Sequence, residues 1–323
     1  MKLGVPLRAA VLFGAAVLAA LPVAAGEFAD GTFRAETYRD ALGFELPPGP
    51  RPERIISLSP NLTEILFAIG VERDRVVGVT RFCDYPPEVE GIRKIGGIVD
   101  PSVEVIVSLR PDMVLATRGN PTAVIERLRA AGIPMFAFES QGGLDPLIET
   151  METMARVLCV DRAARADSVI RALRLRLDCL RAISATVPDS SRPTVYYYDP
   201  VSPDWTTGPG THVSEAIALA GGRNVADDAP VAWPRMALET LLVRQPDVIL
   251  LVGDDSSHEG GGAIGALPGL LDRTGMRGMQ AVRDTAICVV PADWLMRPGP
   301  RVLDAVEVLG RCLHPKQDWQ CAR

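Results

Sequence analysis

The sequence predicts an α/β protein in which two parallel-sheet lobes are joined by one long rigid helix, with a ligand cleft between them. Three observations lead there. In residues 161–186, DRAARADSVIRALRLRLDCLRAISAT, Ala166, Ile170, Leu173, Leu177 and Leu180 recur at three- and four-residue spacings, while Arg162, Arg165, Arg171, Arg174 and Arg181 fall mostly elsewhere. Asp161 stands where a cap belongs, no Gly or Pro interrupts the run, and the turn-rich residues 187–193 end it. At about 1.5 Å per residue such a helix would reach roughly 39 Å, enough to cross a small domain.

The second observation is an echo across that helix. Glu104 is followed seven residues later by Pro111-Asp112 and Met-Val-Leu; Glu239 is followed seven residues later by Pro246-Asp247 and Val-Ile-Leu. Each reads as a short helix, a turn and a buried strand. One such segment is ordinary α/β connection chemistry, and chance recurrence is the duller reading. Two at identical spacing suggest two similar lobes. The third observation is regular strand–helix alternation through short loops, which makes a parallel sheet. The organisation expected is residues 1–25 as a signal peptide, 26–160 as the first lobe, 161–186 as the helix and 187–323 as the second lobe.

Taken in order, Lys2 and Arg8 precede an apolar run from Ala9 to Leu21, then Val23-Ala24-Ala25, the pattern of a cleavable secretory signal. A transmembrane anchor is the alternative, but the run is short and Pro22 closes it. No Cys stands at the cut, which argues against a lipoprotein anchor. Residues 26–51 read as a short hairpin or lead-in. Arg54–Leu58 is a strand running into Ser59-Pro60-Asn61-Leu62-Thr63-Glu64 and a helix stopped by Gly70; such helix-start residues cap the helix or present N–H groups to an anion. The strand 76–80 opens into Arg81-Phe82-Cys83-Asp84-Tyr85-Pro86-Pro87, where two exposed aromatics in a stiffened loop offer a ligand wall or pack on their own lobe. The strands 113–117 and 133–138 follow, with the loop Arg118-Gly119-Asn120-Pro121 between them. In the second lobe come the strand 195–198, the loop Trp205-Thr206-Thr207-Gly208, a helix over 211–220, Trp233-Pro234 before the Glu239 helix, the strands 248–252 and 286–290, then Asp293-Trp294-Leu295-Met296-Arg297 and a helix over 301–313. Three of the four tryptophans sit in loops at the expected cleft.

With 47% hydrophobic and 23% charged residues the chain is globular, and a formal charge of −6 argues against nucleic acid as a partner. Export makes the six cysteines relevant. Cys312 and Cys321 are the pair easiest to imagine bonded, Cys159 and Cys179 lie too far apart along a continuous helix, and Cys288 reads as a buried thiol. GxSxG, HExxH, Walker A and GxGxxG are all missing. His258 with Asp254, Asp255 and Glu259 is the one place where metal ligands gather, and a solvated acidic loop accounts for it. No metal site, resident cofactor or catalysis is expected. What remains is aromatic loops and a few polar anchors on a two-lobed frame, which suits binding a large ligand.

From about Arg51 to Leu313 the sequence resembles the periplasmic substrate-binding proteins of ABC importers that carry one long helix between lobes, the group serving vitamin B12, ferric siderophores and haem. Arg54-Ile-Ile-Ser-Leu-Ser-Pro-Asn-Leu-Thr-Glu64 carries the group resemblance. Asp84-Tyr85-Pro86-Pro87, the Trp205 run with Ala-Gly-Gly-Arg-Asn, Val231-Ala-Trp233-Pro, and Asp293-Trp294 with Arg297 and Pro300-Arg301 are most similar to the cobalamin-binding branch. The resemblance implies a monomeric periplasmic receptor, not an enzyme, that captures cobalamin or a related corrinoid and delivers it to permease subunits in the inner membrane.

Carried over, Phe82, Tyr85, Trp205 and Trp233 would contact the ligand, with Arg118, Asp293 and Arg297 as polar anchors. Glu104 and Glu239 would dock on arginines of the permease, one per lobe, which suits a two-fold partner; first-turn acids favoured by the helix dipole are the plainer role. Ile98 and Thr117 stand where the branch has further cleft tryptophans. Ala220 stands where one partner of a second-lobe cysteine bridge is expected, so that bridge is not carried. A ferric siderophore receptor is the alternative, with Arg81, Arg118, Arg235 and Arg297 as a basic cleft. A metal-dependent hydrolase using the His258 loop and a sensor-docking signalling protein are rivals of other classes.

Overall fold

The computed structural model of the chain describes residues 33–139, 142–160, 165–200, 202–253 and 275–322. The expected signal peptide and the His258 loop lie outside the described residues. The lead-in forms two short antiparallel pairs, β1 (Phe33–Arg34) with β4 (Gly49–Pro50) and β2 (Tyr38–Arg39) with β3 (Glu45–Leu46). The first sheet follows: β5 (Ile55–Ser57), β6 (Val76–Val79), β7 (Met113–Thr117) and β8 (Met135–Phe138), all parallel, in the order β6-β5-β7-β8. Every residue of β5, β7 and β8 is buried, because helices α1 (Pro60–Ala68), α2 (Val103–Ser108), α3 (Thr122–Ala130) and α4 (Leu144–Val157) connect the strands and cover both faces.

The second sheet repeats that scheme. Its strands β9 (Thr194–Tyr198), β10 (Arg223–Asn224), β11 (Val248–Gly253) and β12 (Ile287–Pro291) are parallel in the order β10-β9-β11-β12. Helices α6 (His212–Leu219), α7 (Leu238–Arg244), α8 (Gln280–Arg283), α9 (Ala292–Met296) and α10 (Val302–Leu313) accompany it. In both sheets the second strand lies on one side of the first and the third on the other. β10, two residues in the Gly-Gly-Arg-Asn run, carries no apolar pattern and was not expected.

The structure supplies the physical reason for the sequence echo. Arg110 and Gln245 turn the chain out of α2 and α7 with φ of 47° and 42°, and the following proline bars further helix. Asp112 then accepts the amides of Glu53 and Arg54 at 2.9 and 2.8 Å, while Asp247 accepts the amide of Thr194 at 2.7 Å. Each Pro-Asp therefore ties the third strand of its lobe to the start of the first.

Helix α5 (Asp167–Ala185) joins the lobes, with Ala166, Ile170, Leu177 and Leu180 buried and Leu173 packed partly against the same core. Residues 161–164, including the proposed cap Asp161, lie outside the described residues. Three arginines fasten α5. Arg176, buried within the apolar stripe, reaches Asp304 at 2.6 Å and Glu307 at 2.8 Å on α10. Arg174 donates to Glu152 at 2.8 Å and Arg181 to Asp145 at 2.6 Å, both on α4. A pattern reader counts arginines as the solvent face; here they tether the helix to both lobes.

The cysteine expectations need correction. Cys312 bonds Cys288, with 5.9 Å between Cα atoms, and Cys321 bonds Cys179, with 6.1 Å. The Cys312–Cys321 pairing is thus wrong and Cys288 is buried but bridged; position 220 is Ala and makes no bridge, and the second lobe carries a different one, between β12 and α10. The reason is tertiary. α10 packs back along β12, so its last turn meets the start of that strand, and the tail turns onto α5. Cys83 and Cys159 remain thiols, both buried.

Candidate ligand site between the lobes

The loops at the carboxyl ends of the two sheets face each other, the place where open parallel sheets bind ligands. The contact that establishes this is Arg297, after β12 and α9, which donates to both carboxylate oxygens of Asp84, after β6. Phe82, Tyr85 and Trp205 stand there 45%, 42% and 46% exposed, high values for large rings. Trp233 is half-buried, its ring edge-on to Tyr197 at 6.3 Å. Tyr197 itself is buried, which raises its pKa, and its hydroxyl donates to Met296 Sδ.

Each lobe backs one aromatic with an arginine. Arg81 lies 4.8 Å from the Phe82 ring centre and is held by Asp100 at 3.0 Å; Arg235 lies 5.9 Å from Trp205 and is held by Asp204 at 3.1 Å. A cation over one face leaves the other face for a ligand. The Arg81 guanidinium also holds the Asp100 carboxyl below the usual range. Arg118 donates to the Ala41 carbonyl at 2.9 Å and lies 3.7 Å from Glu139, at the rim. All four arginines expected to make a basic cleft therefore have a carboxylate partner.

The structure redistributes the polar anchors. Arg297 engages Asp84, Asp293 at 2.9 Å and Glu64 at 3.7 Å. The residue expected to anchor the ligand thus also ties one lobe to the other. Burial opposes ionisation of Asp84, but Arg297 outweighs it and holds that carboxyl below its ordinary range. Arg301 donates to both oxygens of Glu64, at 2.9 and 2.6 Å, and lies 4.0 Å from the Tyr85 ring centre. Tyr85 is therefore covered on one face by the other lobe, and it borders a groove of about 580 Å³ that Phe67, Gly70, Arg73, Arg165 and Arg301 itself also line. Glu64 and Arg301 stood inside quoted motifs, but nothing in the local pattern said that one would find the other.

Glu104 and Glu239 sit apart from this cleft, exposed in the first turns of α2 and α7. Ser102 caps α2 by accepting the Val105 amide at 3.2 Å and donates to Glu104, which Arg127 also reaches at 3.1 Å. Its own backbone amide, then Ser102 and Arg127, keep the Glu104 carboxyl below its ordinary range. Among the described residues no cluster of His, Cys, Asp and Glu is placed to hold a metal ion, and no helix is long and apolar enough to cross a membrane.

Comparison with known proteins agrees with this geometry. A family model described as periplasmic binding protein matches residues 55–293. The vitamin B12-binding protein of Vibrio cholerae serotype O1 is 33% identical over 260 residues, covering 79% of this chain and 87% of that protein. The cobalamin-binding protein of Halobacterium salinarum is 30% identical over 286 residues, covering 86% and 74%. Among solved structures, the periplasmic vitamin B12 binding protein BtuF of Vibrio cholerae superposes with a TM-score of 0.68 at 31% identity, over 83% of this chain and 99% of that one. The periplasmic heme-binding protein RhuT from Roseiflexus sp. RS-1 superposes with a TM-score of 0.70 at 29% identity, over 81% and 98%. Two parallel-sheet lobes on one helix, a cleft walled by aromatics and a match over most of the chain lead to one conclusion: the protein belongs to the periplasmic binding protein family.

Proposed function

We propose that the protein is the periplasmic receptor of an ABC importer and that it carries cobalamin or a closely related corrinoid. The observation that carries the choice of ligand is the cleft's charge balance. Arg81, Arg118, Arg235 and Arg297 each have a carboxylate partner, so the cleft offers flat apolar walls with paired charges. A polyanionic ferric catecholate needs uncompensated cations. A corrinoid, broad and fringed with neutral amides, needs aromatic area and hydrogen-bonding groups. The cobalamin-binding relatives support the same choice. Such a ligand is cargo, and no catalytic step is assigned.

Phe82, Trp205 and Trp233 are the walls in this reading, with Tyr85, Arg118, Asp293 and Arg297 at the rim. Glu104 and Glu239, one exposed acid per lobe, would meet cationic residues of the permease. The test is isothermal titration of the exported protein with cyanocobalamin and cobinamide. One-to-one binding that Trp233→Ala or Trp205→Ala weakens at least tenfold, about 1.4 kcal/mol, is the expected result. Folded protein that gives no heat with either corrinoid but binds a ferric catecholate would overturn it. In liposomes holding the permease, Glu104→Ala with Glu239→Ala should abolish stimulated transport while corrinoid affinity stays unchanged.

A further inference from the structure

The first helix of each lobe carries a glutamate at the same place. Thr63-Glu64 lies in α1 six residues before Gly70, which ends the helix with φ of 91°; Ser214-Glu215 lies in α6 six residues before Gly221, with φ of 79°. Neither side chain serves its own lobe. Glu64 is buried and takes both guanidinium donors of Arg301, the residue before α10, the last helix of the second lobe. Glu215 accepts the amide of Leu144 at 2.7 Å, the first residue of α4, the last helix of the first lobe. Arg181 of the connecting helix lies 3.6 Å from Glu215 and 2.6 Å from Asp145.

We propose that Glu64 and Glu215 form a reciprocal clasp that sets the opening of the cleft before any ligand arrives, each reaching from the first helix of its lobe to the start of the last helix of the other. Two further features fit. A methyl group built on Gly143, just before α4, would fall on the Glu215 carboxylate, so glycine there makes room for the acid. Between the two arms the lobes leave a cavity of only about 30 Å³, lined from both sides by Ile65, Leu147, His212 and Pro298. Charge-assisted bonds are strong for their size, and two such arms, one to the Leu144 amide and one to the Arg301 guanidinium, resist both hinge and twist.

Glu64 and Glu215 are accordingly positioning residues: they touch no ligand but fix the distance between the walls that do. A cleft held at one width admits its ligand with little reorganisation and rejects those that need a wider gap. This selectivity rests on the cleft being the ligand site, whereas the clasp itself is read in ligand-free protein.

The experiment compares the parent with Glu215→Ala, Gly143→Ala and Glu64→Ala, without ligand, by amide exchange and small-angle scattering. We expect exchange at Leu144 to accelerate at least tenfold in the first two variants, and the radius of gyration to rise in all three and return to the parent value when cyanocobalamin binds. Glu64→Arg combined with Arg301→Glu should restore the parent dimension, which no loss of packing would do. Corrinoid dissociation should quicken at least fivefold in Gly143→Ala, where no ligand-facing side chain is altered. Should Glu64→Ala fail to fold, the other two variants still decide. An unchanged radius of gyration in Glu215→Ala and Gly143→Ala would overturn the clasp. A parent that binds no corrinoid would overturn the ligand reading, and the exchange and scattering results would still judge the clasp.

Discussion

The two lobes share a strand order and an inter-lobe glutamate, yet they are consolidated by different means. In the first, apolar packing on both faces of β6-β5-β7-β8 suffices, and Cys83 and Cys159 stay as thiols. In the second, Cys288–Cys312 joins the last strand to the last helix, and residues 314–322 wrap back over α10. Trp319 is fully buried there, against Gly310, whose hydrogen leaves space for the indole, and stacked on His314 at 6.0 Å. Cys321 then fastens the tail to the connecting helix. The difference teaches that one topology can be closed two ways. α4 is covered by the connecting helix that follows it, whereas α10 is covered by the irregular tail after it, which needs a bolt.

The comparison breaks or sharpens first at Trp319. Trp319→Ala should cost about 3–5 kcal/mol in urea unfolding, through the cavity left in the second lobe. Trp319→Phe should cost much less, since the indole N–H has no acceptor among the described residues. A loss under 1 kcal/mol (about a fifth of the full burial effect) for the alanine variant would show the tail to be dispensable. Next, replacing Cys288 and Cys312 together by serine should cost about 2–4 kcal/mol. A reducing agent should cost more, because it also opens Cys179–Cys321, with amide exchange slowest to change in β7, where no bridge exists. Equal acceleration in both lobes would mean that they do not differ in this way.

A smaller effect separates the lobes by pH. His212, at the start of α6, is buried, which lowers its pKa against the pull of the Leu295 carbonyl that accepts its Nε2–H at 2.8 Å. The unfolded chain takes up a proton near the ordinary histidine value of about 6.5 while the folded protein does not. Stability is therefore present above that pH and falls as the pH drops below it, by at most about 1.4 kcal/mol per unit. His212→Gln should flatten that slope. Smallest of all, Arg127→Ala, which frees the exposed Glu104, should leave the melting curve where it is. A clear drop in melting temperature would make that pair part of the first lobe's framework.

Much of this was legible in the sequence because it is periodic or local. The strand Met113–Thr117 was read to the residue, since an unbroken apolar run between a Pro-Asp turn and Arg118-Gly119 has few alternatives. The buried stripe of α5 followed from spacing. The aromatics Phe82 and Trp205 were recognisable as loop residues too large for loops. The tie of Arg297 to Asp84 and the bond of Cys288 to Cys312 are not legible in the sequence, because those partners lie 213 and 24 residues away. No local pattern encodes who meets whom.

By itself, then, the sequence determined the lobed α/β class, the repeat, the connecting helix and the loops that wall the cleft, because hydrophobic periodicity and turn chemistry act within a few residues. Only the tertiary structure decided which charges neutralise one another, which cysteines bond and which glutamates cross between lobes. Those outcomes depend on side-chain reach of about 3 Å between segments distant in the chain, a distance that packing sets and sequence spacing does not.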